Sequence, residues 1–362
     1  MEQWLQRVQN MLVELNIDGL ILTDYFNKRY FSGFTGTTGQ GLILRDKKYF
    51  YSDFRYIEQA TNQTKPYGFE FVRIAKNGIE TVAEHIKKHN VKRLGFDDMA
   101  MPYAQYQALQ KAFGDVEFVP ASEAMLNFRK IKCEKEVEFL RRAAEITDIA
   151  FKETLKIIKE GITEKEIAAH LEYIQRLNGA DDKSFETIVA SGHRSSMPHG
   201  VASDKKIQKN ELITMDFGCY YKGYASDMTR TIFFGDEIPE EQKRLYDLVY
   251  QGQSLGIEMI KPEVLGKNVD QAVRDYFEEN GNMSKYFGHS LGHSFGLEVH
   301  EPPYCSQIGN EPLKPNMVMT VEPGLYIEGK YGVRIEDDLL VTENGYEMLT
   351  KSPRELIIIK PE

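Results

Sequence analysis

Asp216 and Asp227 lie in two segments that read as strands, Ile213-Thr214-Met215-Asp216-Phe217-Gly218 and Tyr224-Ala225-Ser226-Asp227-Met228-Thr229-Arg230-Thr231. A turn through Tyr221-Lys222-Gly223 places the two aspartates opposite each other. Glu322 and Glu336 repeat the arrangement. Met319-Thr320-Val321-Glu322 and Val333-Arg334-Ile335-Glu336 read as strands, and a turn at Gly329 brings the glutamates face to face. Like charges facing across paired strands are destabilising. Two such pairs, each flanked by apolar strand residues, are hard to account for as a solvated surface. Divalent cations remove the cost, because four carboxylates balance two of them. Two cations held close together acidify a water between them and polarise a carbonyl, so the pattern points to hydrolysis.

Histidines add to the set. His289 and His293 stand four apart in Gly288-His289-Ser290-Leu291-Gly292-His293-Ser294-Phe295-Gly296-Leu297-Glu298-Val299-His300-Glu301. Ser290 stands where a glutamate would complete HExxH, so that one-metal motif is absent. Glycines at 288, 292 and 296 argue against a regular helix here. Three of the eight histidines fall between 289 and 300, and beside the four carboxylates one of them is expected to be a ligand. His199, in Met197-Pro198-His199-Gly200, is a fourth candidate in a loop. An oxygen-rich set with one histidine suits Mn²⁺ first, with Co²⁺, Fe²⁺ or Zn²⁺ as alternatives.

The elements that must position these residues follow from periodicity. Residues 4–15 carry Leu5, Val8, Leu12 and Leu15 at helical spacing, and Gly19-Leu20-Ile21-Leu22 reads as a buried strand. Residues 41–44 and 48–51 read as a hairpin, 81–89 as a helix and Arg93-Leu94-Gly95-Phe96 as a strand. Together they make a small α/β unit. A boundary near 120–132 divides the chain into domains 1–125 and 126–362. A long charged helix is expected over 134–160, ended by Gly161. Thr163 and Glu166 form a capping box for a second helix with Ile167, Leu171 and Ile174 on one face, closed by Gly179. From Glu186 onward the pattern is strand-rich, with helices at 240–260 and 270–280. The glycine-rich stretch 33–41 fits neither GxGxxG nor a phosphate-binding loop and reads as a flexible loop.

The 362 residues suit two domains, and the net charge of −10 argues against nucleic acid as a partner. Apolar runs such as Leu356-Ile357-Ile358-Ile359 are too short to span a bilayer. Cys133, Cys219 and Cys305 are scattered and odd in number, which favours a reducing compartment over a disulfide framework. A cytoplasmic location is the expectation.

PHG, DFG…GYASDMTRT, GHSLGHSFGLEVHE, TVEPGLY and GVRIEDD match, in order and type, the pita-bread metallopeptidases, which include methionine aminopeptidase, aminopeptidase P and prolidase. The resemblance is strong over about 125–362, and the first domain resembles more loosely the creatinase-like domain of aminopeptidase P and prolidase. It implies an α/β (α+β) chain with a C-terminal pita-bread catalytic domain behind a smaller creatinase-like one. It implies two divalent metal ions per subunit, with Asp216 on one, His293 and Glu322 on the other, and Asp227 and Glu336 bridging both. Glu322 also stands where the family places a proton-shuttling base, and His289 where a histidine stabilises the reacting peptide. His199 and His300 match substrate-contacting histidines, and Arg334 matches an arginine supporting the ligands. Asn316 replaces a frequent glycine and Cys133 a frequent helix-starting serine. The implied activity is hydrolysis of the Xaa-Pro bond at the N-terminus of dipeptides or short peptides, as a Xaa-Pro dipeptidase or Xaa-Pro aminopeptidase, by a homodimer. The alternatives are a methionine aminopeptidase-like enzyme, which usually lacks a domain like 1–125, and a non-catalytic peptide-binding module, which would have lost ligands.

Overall fold

The structure, a computed structural model, describes residues 2–75 and 78–361, with side chains from Gln6 onward. Leu5, expected on the apolar face of the first helix, therefore lies outside the described side chains. The chain divides into two compact units, Met1–Phe128 and Arg129–Glu362.

In the first unit a six-stranded mixed sheet runs β4-β3-β2-β1-β5-β6, with β1 Gly19–Leu22, β2 Gln40–Leu44, β3 Lys48–Ser52, β4 Glu70–Arg73, β5 Arg93–Phe96 and β6 Glu117–Pro120. Alternation along β1 sends Leu20 and Leu22 to one face and Ile21 to the other. The first face packs on helices α1 (Glu2–Glu14), α2 (Tyr25–Ser32), α3 (Ile57–Thr64) and α6 (Ser122–Lys130), through Val8, Leu12, Phe31, Ala60 and Met125. The second packs on α4 (Ile79–Lys88) and α5 (Tyr103–Phe113), through Val82, Ile86 and Leu109. The glycine-rich stretch joins α2 to β2, with Gly33 capping α2 at φ 72°.

The second unit opens with α7 (Glu134–Thr154) and α8 (Glu164–Leu177). The expected single helix to residue 160 is not formed. The chain tightens into a 3-10 turn at Leu155–Ile157 and turns extended at Ile158, which carries Ile158 and Ile162 into the core beneath the helices. The capping box forms: Thr163 N donates to Glu166 Oε2 at 2.7 Å and Glu166 N to Thr163 Oγ1 at 3.1 Å.

Short β7 (Asp182–Lys183) precedes β8 (Ile188–Ser191) and β9 (Glu211–Phe217); β10 (Cys219–Tyr221) and β11 (Tyr224–Ala225) form the tip of a hairpin whose second arm is β12 (Met228–Phe234). Ile213, Met215 and Phe217 enter the core under α7 and α8. Thr214 and Asp216 therefore face the other way. Helices α9 (Glu240–Glu258) and α10 (Gly266–Glu279) cover the remaining strands. These are β13 (Gly292–Ser294), β14 (Glu301–Cys305), β15 (Val318–Val321), β16 (Gly324–Ile327), β17 (Tyr331–Arg334), β18 (Asp337–Val341) and β19 (Tyr346–Met348), with β20 (Ile358–Ile359) pairing parallel to β12. Here Leu325, Val333 and Ile335 go to the helix-side core, so the even-numbered Glu322, Tyr326, Arg334 and Glu336 share the opposite face. Among the described residues no helix is long and apolar enough to cross a membrane.

Candidate metal centre

The glutamate hairpin is built on the predicted register. Gly324 pairs with Arg334 and Ile327 with Tyr331 across β16 and β17, and Val321 pairs with Asp337 across β15 and β18. Extending either ladder by its own register sets Glu322 opposite Glu336. The turn needs a left-handed residue, and Gly329 supplies it at φ 70°.

The aspartate hairpin departs from expectation. Asp216 pairs with Thr229, and Tyr221 pairs with Tyr224. The turn is thus the two residues Lys222 and Gly223, both at positive φ (50° and 79°), the conformation that suits a two-residue hairpin loop. Asp227 is diagonal to Asp216, not opposite it, because the turn lies further along the chain than the sequence symmetry suggested.

Main-chain and hydroxyl contacts join the two hairpins. Glu336 N donates to Thr229 O at 3.1 Å, and Thr231 Oγ1 donates to Arg334 O at 2.9 Å. Thr229 Oγ1 donates to Glu336 Oε2 at 2.7 Å and accepts from Arg334 Nε at 3.1 Å. His293 arrives on β13, drawn close to β15: a Cβ at Gly292 would meet Thr320 O at 2.0 Å. His289 and His293 are therefore on a loop and a strand, not on a helix.

The side chains converge on one cavity of about 260 Å³ lined by His199, Asp216, Asp227, His289, His293, His300, Glu322, Arg334 and Glu336. Ligand atoms of Asp227, His293 and Glu336 lie within 4.8 Å of one another. His293 Nδ1 faces Ser294 O at 3.1 Å, so Nδ1 carries the proton. That leaves Nε2 facing Glu322 Oε1 at 3.3 Å and Asp227 Oδ2 at 3.8 Å. Asp216 Oδ1, Asp227 Oδ1 and Glu336 Oε1 are buried with no hydrogen-bond partner among the described residues. Buried carboxylate oxygens without donors are costly. Three of them beside an imidazole nitrogen fit hard divalent cations.

Charge is distributed unevenly. Arg334 Nη2 meets Asp216 Oδ2 at 2.6 Å, yet burial, with Glu322 beside it, still lifts the Asp216 carboxyl above its ordinary value. Asp227 and Glu336 are pushed well above theirs, by burial first and then by neighbouring carboxylates. Burial also acts to raise Glu322, but its contact with His293 and the nearby His289 and Arg334 outweigh that and hold it low.

The family-derived helpers are placed as follows. Arg334 Nη1 donates to Tyr326 OH at 2.7 Å and Pro198 O at 3.1 Å. His289 Nδ1 faces Ser290 O at 2.8 Å and its Nε2 meets Tyr326 OH at 3.0 Å. Burial lowers the His289 and His300 imidazoles. His300 packs edge-on against His293 at 4.4 Å between ring centroids, and His199 is exposed at the rim. The sequence reading missed Tyr326, Thr229 and Asp338, whose Oδ2 accepts from Asp227 N at 2.9 Å. Period-two alternation from Glu322 could have found Tyr326. The acidic run Glu336-Asp337-Asp338, buried throughout, carried the signal for Asp338.

A strand platform holding buried carboxylates and a histidine around one pocket has the donor set of a metal-dependent hydrolase. The comparisons agree. Residues 138–343 match Metallopeptidase family M24, and residues 5–131 match the Creatinase/Prolidase N-terminal domain. A Xaa-Pro dipeptidase of Pyrococcus furiosus is 38% identical over 99% of this chain and 100% of its own. The solved Xaa-Pro dipeptidase from Bacillus anthracis superposes with a TM-score of 0.95 at 44% identity, over 99% of both chains. The X-Pro aminopeptidase from Thermotoga maritima MSB8 gives a TM-score of 0.90 at 37% identity, over 97% of this chain and 100% of that one. The chain belongs to metallopeptidase family M24, enzymes that work with divalent metal ions.

Proposed function

We propose that the protein is an exopeptidase that hydrolyses the bond between an N-terminal residue and proline, using two divalent cations, manganese first among them. The observation that carries this reading is the near full-length likeness to enzymes named as Xaa-Pro dipeptidase and X-Pro aminopeptidase. In support, the cavity is small and part of its wall is apolar, with Phe185, Ile188, Val201 and Val299 alongside the polar residues, which suits a short peptide with a proline ring. The retained ligand set speaks against a non-catalytic module, and the creatinase-type first domain speaks against the methionine aminopeptidase reading.

In this reading Asp216, Asp227, His293, Glu322 and Glu336 hold the cations. When bound, the ions supply an acidified water and polarisation of the scissile carbonyl. Glu322, its carboxyl held low by its contact with His293 and by the nearby His289 and Arg334, takes the proton of the attacking water and returns it to the departing proline nitrogen. His289, oriented by Tyr326 and Ser290, steadies the peptide as it becomes tetrahedral. Arg334 fixes Asp216 and Tyr326 at once. His199 and His300 stand where substrate enters.

The reading extends to a cytoplasmic homodimer. Three cysteines without a disulfide among the described residues support the first point, and the family resemblance and the prevalence of closed two-fold dimers support the second. Light scattering should give twice the 41.7 kDa chain mass, and an active monomer would overturn the dimer. The substrate assignment is tested by hydrolysis of Ala-Pro and Ala-Pro-Ala beside Ala-Ala and Met-Ala. The proline substrates should be cut far faster, and a preference for methionyl peptides lacking proline would refute the assignment.

A further inference from the structure

Glu164 sits between the two members of the capping box that starts α8, but its side chain has another role. It is fully buried (0% exposed) and does not line the cavity. Its Oε1 accepts from Ser191 N and Ser191 Oγ, both at 2.8 Å. Its Oε2 accepts from Ser203 N at 3.0 Å, from Ser203 Oγ at 2.6 Å and from the Arg194 guanidinium. Ser191 ends β8, and Ser203 lies where the chain returns after the loop. One carboxylate therefore ties both feet of the loop 191–203 to the start of α8.

The loop is braced within as well. Arg194 Nη2 donates to Val201 O at 2.8 Å, and Val201 forms an isolated antiparallel bridge with Ile188. At its tip, Pro198 O accepts from Arg334, and Ser195 Oγ accepts from Gly332 N at 3.0 Å. Pro198, His199 and Val201 line the cavity. A carboxylate has about four lone-pair sites and no donor, so it alone among side chains of this size can receive donors from both feet and a guanidinium together. The isosteric amide would turn N–H groups toward one foot and lose the ion pair.

We propose that Glu164 is a positioning residue for substrate binding, which by locking the neck of the 191–203 loop sets where His199 and Val201 stand at the cavity wall. The inference rests on the reading of His199 as a substrate contact. Support of this kind acts by keeping a contact group in place before substrate arrives, so its loss shows in KM while the chemistry at the metal ligands continues.

The test uses the metal-loaded enzyme with Glu164→Gln, the milder Ser203→Ala, His199→Ala and the Glu164→Gln/His199→Ala pair, assayed on Ala-Pro. Glu164→Gln should raise KM by roughly tenfold, with kcat and metal content near wild type, and Ser203→Ala should raise KM less. Hydrogen exchange should increase within residues 192–202. In the His199→Ala background Glu164→Gln should add little, because both act through one contact. If Glu164→Gln does not fold, Ser203→Ala decides the matter. Wild-type KM in the folded loop variants, beside a raised KM in His199→Ala, would overturn this inference alone. An undiminished effect of Glu164→Gln in the His199→Ala background would do so too. An unchanged KM in His199→Ala would overturn the substrate-contact reading on which it rests.

Discussion

The hairpin carrying Asp216 and Asp227 and the hairpin carrying Glu322 and Glu336 each deliver two carboxylates to one cavity, but on different registers and with different support. The glutamates face each other across a gap between two ladders that share one register. The aspartates sit diagonally, near a break where β9 gives way to β10. Arg334, from the glutamate hairpin, neutralises Asp216 at 2.6 Å. Asp227 receives no such cation and instead stands close to Glu336 and His293. The repulsion left for a metal to relieve therefore falls on Asp227 and Glu336, whose carboxyls are pushed well above their ordinary value by burial and by neighbouring carboxylates. In such a pair the two groups exchange protons as a unit.

That contrast orders the expected mutational effects. Asp227→Ala removes the least compensated carboxylate and should abolish tight metal binding, lowering kcat by about a thousandfold or more. Metal analysis and steady-state kinetics check both, and wild-type values for either would break the comparison. Arg334→Lys keeps one charge but cannot keep contacts to Asp216, Thr229, Tyr326 and Pro198 together. Loss of such ligand support costs on the order of 10–100-fold in affinity or activity, so kcat should fall by that amount. Arg334→Lys at wild-type rate would show that the aspartate side needs no help from the glutamate side.

Stability without metal sharpens the same point. Asp227 and Glu336 have folded-state values raised above those of the unfolded chain. Below about pH 4, the ordinary carboxylate value, both states are protonated and there is no penalty. Above it the folded protein holds more protons than the unfolded chain, so stability falls as pH rises through the window up to the raised values. Calorimetry of metal-stripped protein should show a lower melting temperature at pH 7 than at pH 5, and a large gain on adding metal at pH 7. Glu336→Gln should raise the melting temperature of stripped protein at pH 7 while weakening metal binding. Stripped Glu336→Gln melting below stripped wild type would contradict the repelling cluster.

The smallest effect belongs to the hydroxyl between the hairpins. Thr229→Val removes the bond to Glu336 and the one from Arg334. It should weaken metal affinity by roughly tenfold, at the low end for a supporting group, measured by competition with a chelator. A larger loss than for Arg334→Lys would reverse the ranking of the two links.

Much of this site was legible because strands impose period two and turns demand particular residues. Gly329 sits midway between the glutamates and is the left-handed turn residue, so that register could be read directly. The aspartate turn offered Tyr221, Lys222 and Gly223, and symmetry chose the wrong centre, because Lys222 takes a positive φ that only the adjoining ladder enforces. The helix expected through residue 160 ended early because Ile158 and Ile162 are needed in the core, a tertiary demand with no local marker. Period two from Glu322 reaches the face that holds Tyr326, but the role of that tyrosine is set by Arg334 and His289, which approach from other segments. Glu164, between the capping-box residues Thr163 and Glu166, carries no local signal of its own, and its partners Ser191 and Ser203 lie beyond any sequence window.

The most direct test of the account is to strip the enzyme of metal and titrate Mn²⁺ back while following Ala-Pro hydrolysis. Stripped enzyme should be inactive, and the rate should rise to a plateau at about two equivalents per chain, the stoichiometry of a two-metal clamp. Full activity in the stripped enzyme, or a plateau at one equivalent, would contradict it.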